Sequence, residues 1–171
     1  MKNLLTLFAA FVLVAGLSST VNAQVTGTAT GSATVITPIS ILKTADMNFG
    51  NLAVSPTISG TVTLTPAGTR TTDGAGGVVL PAANGTVAAA SFTVSGLANS
   101  TYSISLPSSY TISYLTNNMV VNAFTSTPSA IGTLTSGSQV IKVGATLNVG
   151  AGQVAGTYVN ATGFGVTVNY N

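Results

Sequence analysis

The feature that most limits the fold of this chain is a regular alternation of apolar and polar residues in its last stretch. From residue 164 onward the apolar side chains occupy the even positions, as Phe164, Val166, Val168 and Tyr170, and Gly, Thr or Asn fills each odd position. A period of two is typical of a β-strand with one face on a core and the other in water. We therefore predict that these four residues form the inner face of a terminal core strand.

The same period recurs upstream. Residues 141–149 contain the cleanest inward row, and residues 88–94 and 102–106 are expected to pair as a hairpin around a turn at 95–100. No segment after the N-terminal residues shows sustained helical periodicity, and Gly and Asn mark the turns between short Thr-rich strands. This pattern predicts an all-β, antiparallel β-sandwich.

Three further segments have a weaker pattern. Residues 35–42 read as a strand interrupted by a proline, and residues 66–77 read as a loop. Residues 110–115 and 119–124 are expected to form a second strand pair around Asn117-Asn118.

The first 23 residues resemble a secretory signal peptide. Lys2 supplies the positive start, residues 4–17 are apolar, and small residues precede a cleavage site at Ala23. We predict cleavage between Ala23 and Gln24 and export to the periplasm, the outer surface or the medium. A low-complexity lead of residues 24–34 then precedes a single domain of residues 35–171.

Charged residues make up only 4% of the chain, against about a quarter in ordinary soluble domains. Beyond the predicted signal they are Lys43, Arg70, Lys142, Asp46 and Asp73. Nucleic-acid binding requires clusters of Lys and Arg, so we exclude it. We expect no transmembrane segment after signal removal, and a surface with so little charge tends to self-associate.

The sequence lacks most of the residue types used in catalysis. It contains no His, Cys or Glu, so acid–base pairs, catalytic triads, thiol nucleophiles and His/Cys zinc sites are excluded. Asp46 and Asp73 lie beside turn signals and are interpreted as turn residues. Tyr110 and Tyr114 are interpreted as packing residues, with a sugar-stacking patch as the alternative. We predict a protein that is not an enzyme and that has no cofactor and no metal site.

Several motifs resemble a bacterial family of secreted domains of unknown function, the family numbered 4402 (DUF4402). They are Asn48-Phe49-Gly50, Phe92-Thr93-Val94-Ser95-Gly96, Tyr102-Ser103-Ile104, Leu106-Pro107, Val143-Gly144-Ala145-Thr146-Leu147, Gly156-Thr157-Tyr158 and Val166-Thr167-Val168-Asn169-Tyr170-Asn171. A looser similarity links Gly156, Tyr158 and Tyr170 to the last strands of pilin and spore-coat-type immunoglobulin-like domains. The resemblance implies an immunoglobulin-like or pilin-like form of the sandwich and an exported protein.

These observations favour a non-catalytic structural or adhesive surface protein, such as a subunit of a fimbria-like assembly. Strand edges coated with Thr instead of Lys are open to strand addition by a neighbour. The lead alternates in the same way and is a candidate donor segment, with small or apolar residues at Val25, Gly27, Ala29, Gly31 and Ala33. The alternatives are a monomeric secreted module that binds a glycan or a protein, and a small outer-membrane barrel.

Overall fold

The computed structural model describes residues 23–171, so the predicted signal residues before Ala23 lie outside the described part. Residues 23–35 have no regular secondary structure, and residues 36–171 form one compact unit. The described residues contain β-strands and one short 3-10 helix at Thr135–Gly137, but no α-helix. The strands are β1 (Ser40–Ala45), β2 (Asn48–Phe49), β3 (Ala53–Val54), β4 (Gly60–Leu64), β5 (Arg70–Thr72), β6 (Val78–Val79), β7 (Val87–Ala88), β8 (Ala90–Ser95), β9 (Thr101–Ser105), β10 (Ser109–Tyr114), β11 (Asn117–Thr127), β12 (Ile131–Thr133), β13 (Ser138–Val149) and β14 (Thr167–Tyr170).

The largest sheet is antiparallel and is built around β13. Its main path runs β1-β8-β13-β11-β10, and β4 and β5 are attached beside β13. One side of β13 pairs with β8 along its first half and with β4 along its second half, while the other side pairs with β11. The row predicted within residues 141–149 is confirmed, because every second side chain from Ile141 to Val149 is buried.

The point where β8 and β4 part is occupied by Gly144. The partner of Val143 is Ala90 on β8, and the partner of Ala145 is Leu64 on β4. A Cβ at position 144 would overlap the carbonyl oxygen of Leu64. The absence of a side chain therefore allows two strands to share one side of β13.

A second, three-stranded sheet has the order β12-β9-β14. Its residues Tyr102 and Val168 share a buried cluster with Phe92, Val94 and Ile141 of the large sheet, so the two sheets pack face to face there. A second cluster lies under the two-stranded ribbons β2–β7 and β3–β6. The all-β, antiparallel prediction is confirmed.

The predicted hairpin across residues 95–100 is wrong. β8 pairs with β1 and β13, whereas β9 pairs with β12 and β14, so the connection crosses from one sheet to the other. The backbone groups of the connection bond to the turn before β13: Gly96 N–H donates to the Gly137 carbonyl over 3.0 Å and Asn99 N–H to the Leu134 carbonyl over 2.8 Å. These bonds take the place of those in a hairpin turn. Since β8 and β9 lie in different sheets, they face the same core from opposite sides.

Other boundaries differ in detail. The pairing of β10 with β11 is confirmed, but the turn is at Leu115-Thr116, where Leu115 has φ of 53°. The region predicted as a loop at residues 66–77 contains β5, which pairs with β4. The first strand begins at Ser40, beyond the proline that was expected to interrupt it.

Candidate functional site

The candidate donor segment has no strand partner among the described residues. Residues 23–35, including Ala23, Gln24, Gly27, Ala29, Gly31 and Ala33, are all exposed and lie outside any strand. Val25 is 93% exposed. The apolar positions of this segment therefore have no core of their own.

The terminal core strand is shorter than predicted, because β14 begins at Thr167 and leaves Phe164 and Val166 before it. The alternation is nevertheless present in the burial: Phe164, Val166 and Tyr170 are half-buried, and Val168 is buried. Phe164 fills a space between three aromatic rings, with its centroid 5.0 Å from that of Phe124. All four even-numbered residues contact the cluster between the two sheets.

Tyr170 fixes the end of β14 to the beginning of β1. Its hydroxyl accepts a hydrogen bond from Leu97 N–H over 2.6 Å and donates one to the Thr37 carbonyl over 2.8 Å. Gly96 lies directly beside the hydroxyl, and a Cβ there would overlap the oxygen. The sequence pattern had indicated the inward face of Tyr170 but not this double hydrogen bond.

The first and last strands lie side by side at the edges of two different sheets. In the described part of the chain, β8 is the one strand that pairs with β1, and β9 is the one strand that pairs with β14. The two edge strands contact each other without pairing. We call residues 37–45 and 167–170 the β1–β14 seam.

Little charge protects this seam. The Lys43 ammonium lies 2.6 Å from an Asp46 carboxylate oxygen in an exposed ion pair, and β14 carries no charged residue. Leu42 on β1 is 69% exposed. On the outer face of the sheet Leu42 stands opposite Thr93, whose other neighbour is Val140, also exposed.

The second carboxylate, that of Asp73, is held by backbone hydrogen bonds. Asp73 accepts hydrogen bonds from Thr61 N–H over 2.9 Å and from Ala75 N–H over 3.1 Å. The bond from Ala75 is the main reason that the pKa of Asp73 lies below its usual value, since it stabilises the ionised form. Asp73 thus joins the loop after β5 to the start of β4.

An open depression lies beside Asp73. It has a volume of about 390 Å³ and is lined in part by Ser59, Thr61, Asn118 and Asn148. Hydroxyl, amide and carboxylate groups therefore share a concave surface at the ends of β4, β11 and β13 with the apolar side chains of Met119, Val120 and Val149.

The two tyrosines considered for sugar stacking are engaged in packing. Tyr110 packs edge-on against Phe164 and donates its hydroxyl proton to the Asn160 carbonyl over 2.8 Å. Tyr114 lies against Tyr158, and Gly156 sits directly on its ring. Both rings are half-buried, and these contacts agree with the interpretation as packing residues.

Arg70 was missed as an organising residue because it lay in a segment predicted to be a loop. Its guanidinium donates to the backbone carbonyls of Phe49 and Asn51 and to the side-chain oxygen of Asn84, the last over 3.0 Å. These bonds join β5 to the turn after β2 and to the loop before β7.

Residues 23–171 contain no group of three or more His, Cys, Asp or Glu side chains placed to hold a metal ion. Within the same residues no helix has the length and apolarity required to cross a membrane.

Comparison with known proteins gives one family. Neither the curated proteins nor the solved structures contain a significant match to this chain. The model of the family described as "Domain of unknown function (DUF4402)" matches residues 39–170, which include every strand from β1 to β14. The chain therefore belongs to the DUF4402 family.

Proposed function

We propose that the protein is a non-catalytic structural or adhesive protein of the cell surface, exported after cleavage at Ala23, whose copies join by strand addition. The proposal includes an immunoglobulin-like, pilin-like arrangement of the two sheets. The observation that carries it is the β1–β14 seam, where two edge strands lie side by side and each has a strand partner on one side only.

An unprotected edge strand is a template for another strand, because its outward N–H and carbonyl groups are unpaired. Proteins that avoid this contact place unpaired Lys or Pro on the edge. Pro38 lies before the first paired residue of β1 and leaves the strand itself without proline. Within the strand the charge of Lys43 is balanced by Asp46, and Leu42 adds an exposed apolar side chain. These features support strand addition at this position.

The lead of a second copy is the proposed donor. Residues 24–34 are exposed and outside any strand. Their odd-numbered side chains are small, and each buried methylene contributes only about 0.8 kcal/mol. Most of the affinity would therefore come from backbone hydrogen bonds along the seam.

Truncation tests this assignment. The chain of residues 24–171 should give oligomeric ladders that resist detergent and collapse on boiling, whereas residues 35–171 should fold and stay monomeric. Ala29→Pro, which removes one backbone donor, should abolish the ladder, and the matched Ala29→Ser should retain it. Ladders from the truncated chain would exclude the lead as donor.

Electron microscopy tests the role at the cell surface. Cells that produce the protein should carry surface fibres or a surface layer that disappears when its gene is deleted. An unchanged surface after deletion would contradict the structural role.

A monomeric binding module is the second candidate, and the depression beside Asp73 favours it. Its lining combines polar groups with apolar side chains, a combination that suits glycans or a segment of a protein. A chain of residues 24–171 that remains monomeric at every concentration, and that binds a glycan through Asp73 and Asn148, would support this candidate against the first.

A further inference from the structure

The only Asn-Gly pair of the sequence, Asn84-Gly85, lies in the exposed loop between β6 and β7. Gly85 has φ of 63° and lies close to the Asn51 side chain, so a side chain at this position would be strained. The backbone before Gly85 is held, because the Asn84 carbonyl accepts Asn51 N–H over 2.8 Å and the Ala83 carbonyl accepts the Asn51 side-chain amide over 2.9 Å.

The side-chain carbonyl of Asn84 faces a cation that has no carboxylate partner. Arg70 Nη2 lies 3.0 Å from Asn84 Oδ1, while Nη1 bonds to backbone carbonyls. In the described part of the chain the ion pair is that of Lys43 with Asp46, so the guanidinium charge is directed at neutral oxygens. A positive donor on Oδ1 withdraws electrons from Cγ and makes this carbon more electrophilic.

The other two groups needed for attack on Cγ are unengaged. Among residues 23–171 no group accepts a hydrogen bond from Gly85 N–H or from Asn84 Nδ2. Both residues are exposed. The nucleophilic nitrogen and the departing nitrogen are therefore open to water.

We propose that Asn84 is a site of spontaneous deamidation directed by Arg70. The Gly85 nitrogen loses its proton to solvent and forms a bond to Asn84 Cγ. The Cγ–Nδ2 bond then breaks, and Nδ2 leaves with a proton as ammonia. Water opens the resulting succinimide ring, so the net change is amide plus water to carboxylic acid plus ammonia, with no oxidant or reductant.

The product changes the network around Arg70. An aspartate at position 84 places a carboxylate where the amide oxygen of Asn84 accepts a hydrogen bond from the Arg70 guanidinium. The change therefore creates a second ion pair, which joins β5 to this loop. Opening of the ring at the main-chain carbonyl of residue 84 gives isoaspartate. The carbonyl that accepts Asn51 N–H then becomes a free carboxylate, and the backbone, which now passes through Cβ and Cγ, is longer by one methylene. The aspartyl form therefore strengthens the loop and the isoaspartyl form loosens it.

A time course of peptide mapping by mass spectrometry tests the site. Purified residues 24–171 are held at mildly alkaline pH, folded or in concentrated urea, with Asn99 and Asn160 as internal reference amides. We expect Asn84 to convert in the folded protein at least as fast as in urea, while both references stay intact in the folded protein. Conversion several-fold slower in the folded protein would show that the loop protects the amide, and would overturn the proposal.

Variants of Arg70 test whether the charge of the guanidinium, and not the conformation of the loop alone, accelerates the deamidation of Asn84. Arg70→Gln should slow conversion of Asn84 several-fold in the folded state and leave the rate in urea unchanged, and Arg70→Lys should retain part of the acceleration. Circular dichroism checks folding, and Arg70→Lys decides the matter if Arg70→Gln does not fold. Equal folded-state rates in wild type and the folded variants would overturn the role of Arg70.

The product is tested by substitution. Asn84→Asp should raise the midpoint of thermal unfolding above that of Asn84→Gln by about 1–3 °C, an exposed ion-pair effect that falls at high salt. A midpoint that is equal or lower would contradict the new ion pair.

Discussion

Tyr170→Phe removes the hydroxyl that joins β14 to the start of β1 and leaves the ring in place. The hydroxyl takes part in two hydrogen bonds, at 2.6 Å with Leu97 N–H and at 2.8 Å with the Thr37 carbonyl. A typical hydrogen bond contributes a net 0.5–1.5 kcal/mol or so, so the loss should be about 1–3 kcal/mol of unfolding free energy. Because the partners lie near the surface and water can replace part of each bond, we expect the lower half of this range.

The assay is equilibrium unfolding in urea, followed by circular dichroism. The midpoint should fall while the slope stays constant, because the variant exposes the same surface on unfolding. Tyr114→Phe is the matched control, since no hydrogen bond of the Tyr114 hydroxyl is formed within residues 23–171, and it should change stability by less than about 0.5 kcal/mol. Equal effects of the two substitutions would refute the reasoning that the Tyr170 hydroxyl anchors the terminal strand.

Three further predictions follow from packing and charge. In the same urea titration, Gly144→Ala should lower the free energy of unfolding by about 1–3 kcal/mol because the added methyl group overlaps the backbone of β4. Gly165→Ala is the control and should be nearly neutral, because the space around Gly165 is open. Val168→Asp should prevent folding because it buries an unpaired charge at a cost of several kcal/mol. Thr167→Asp on the exposed face should change the free energy of unfolding by no more than about 0.5 kcal/mol. Equal damage from both substitutions would mean that both faces of β14 are covered. The pKa of Asp73 is lower in the folded chain than its usual 3.8. The carboxylate therefore stabilises the fold above pH 3.8, and this stabilisation is lost as the pH falls through the folded pKa. Asp73→Asn should remove this part of the pH dependence of the thermal unfolding midpoint, and an unchanged pH profile would contradict the assignment.

Alternation of residue types was sufficient to place strand faces but not strand partners. The rows in β13 and β14 point inward as their period of two predicts, because side chains alternate between the two faces of a strand whatever its partners are. The hairpin predicted for β8 and β9 is wrong because the same alternation fits two arrangements. Two strands with one apolar face each can bury it against a common core as neighbours in one sheet or as members of two facing sheets. The two arrangements differ in their strand partners, β1 and β13 for β8 and β12 and β14 for β9, and alternation within one strand carries no information about partners.

Elements without a pattern were not predictable. β6 and β7 have two residues each, which is too short to show any period. β5 lies in a segment whose Asp73-Gly74 and Gly76-Gly77 pairs predict a loop, and its place depends on pairing with β4 and on the bonds of Arg70. The seam was equally hidden, because which strands become edges depends on the order of pairing across the whole sheet.

Cysteine cross-linking between copies tests the central claim of strand addition most directly. The chain has no cysteine of its own, so one pool carrying Val25→Cys can be mixed with another carrying Leu42→Cys, and Thr71→Cys on β5 serves as the control in place of Leu42→Cys. Strand addition at the β1–β14 seam predicts disulfide-linked heterodimers from the first mixture and few from the control. Equal yields from both mixtures, or no heterodimer in either, would contradict it.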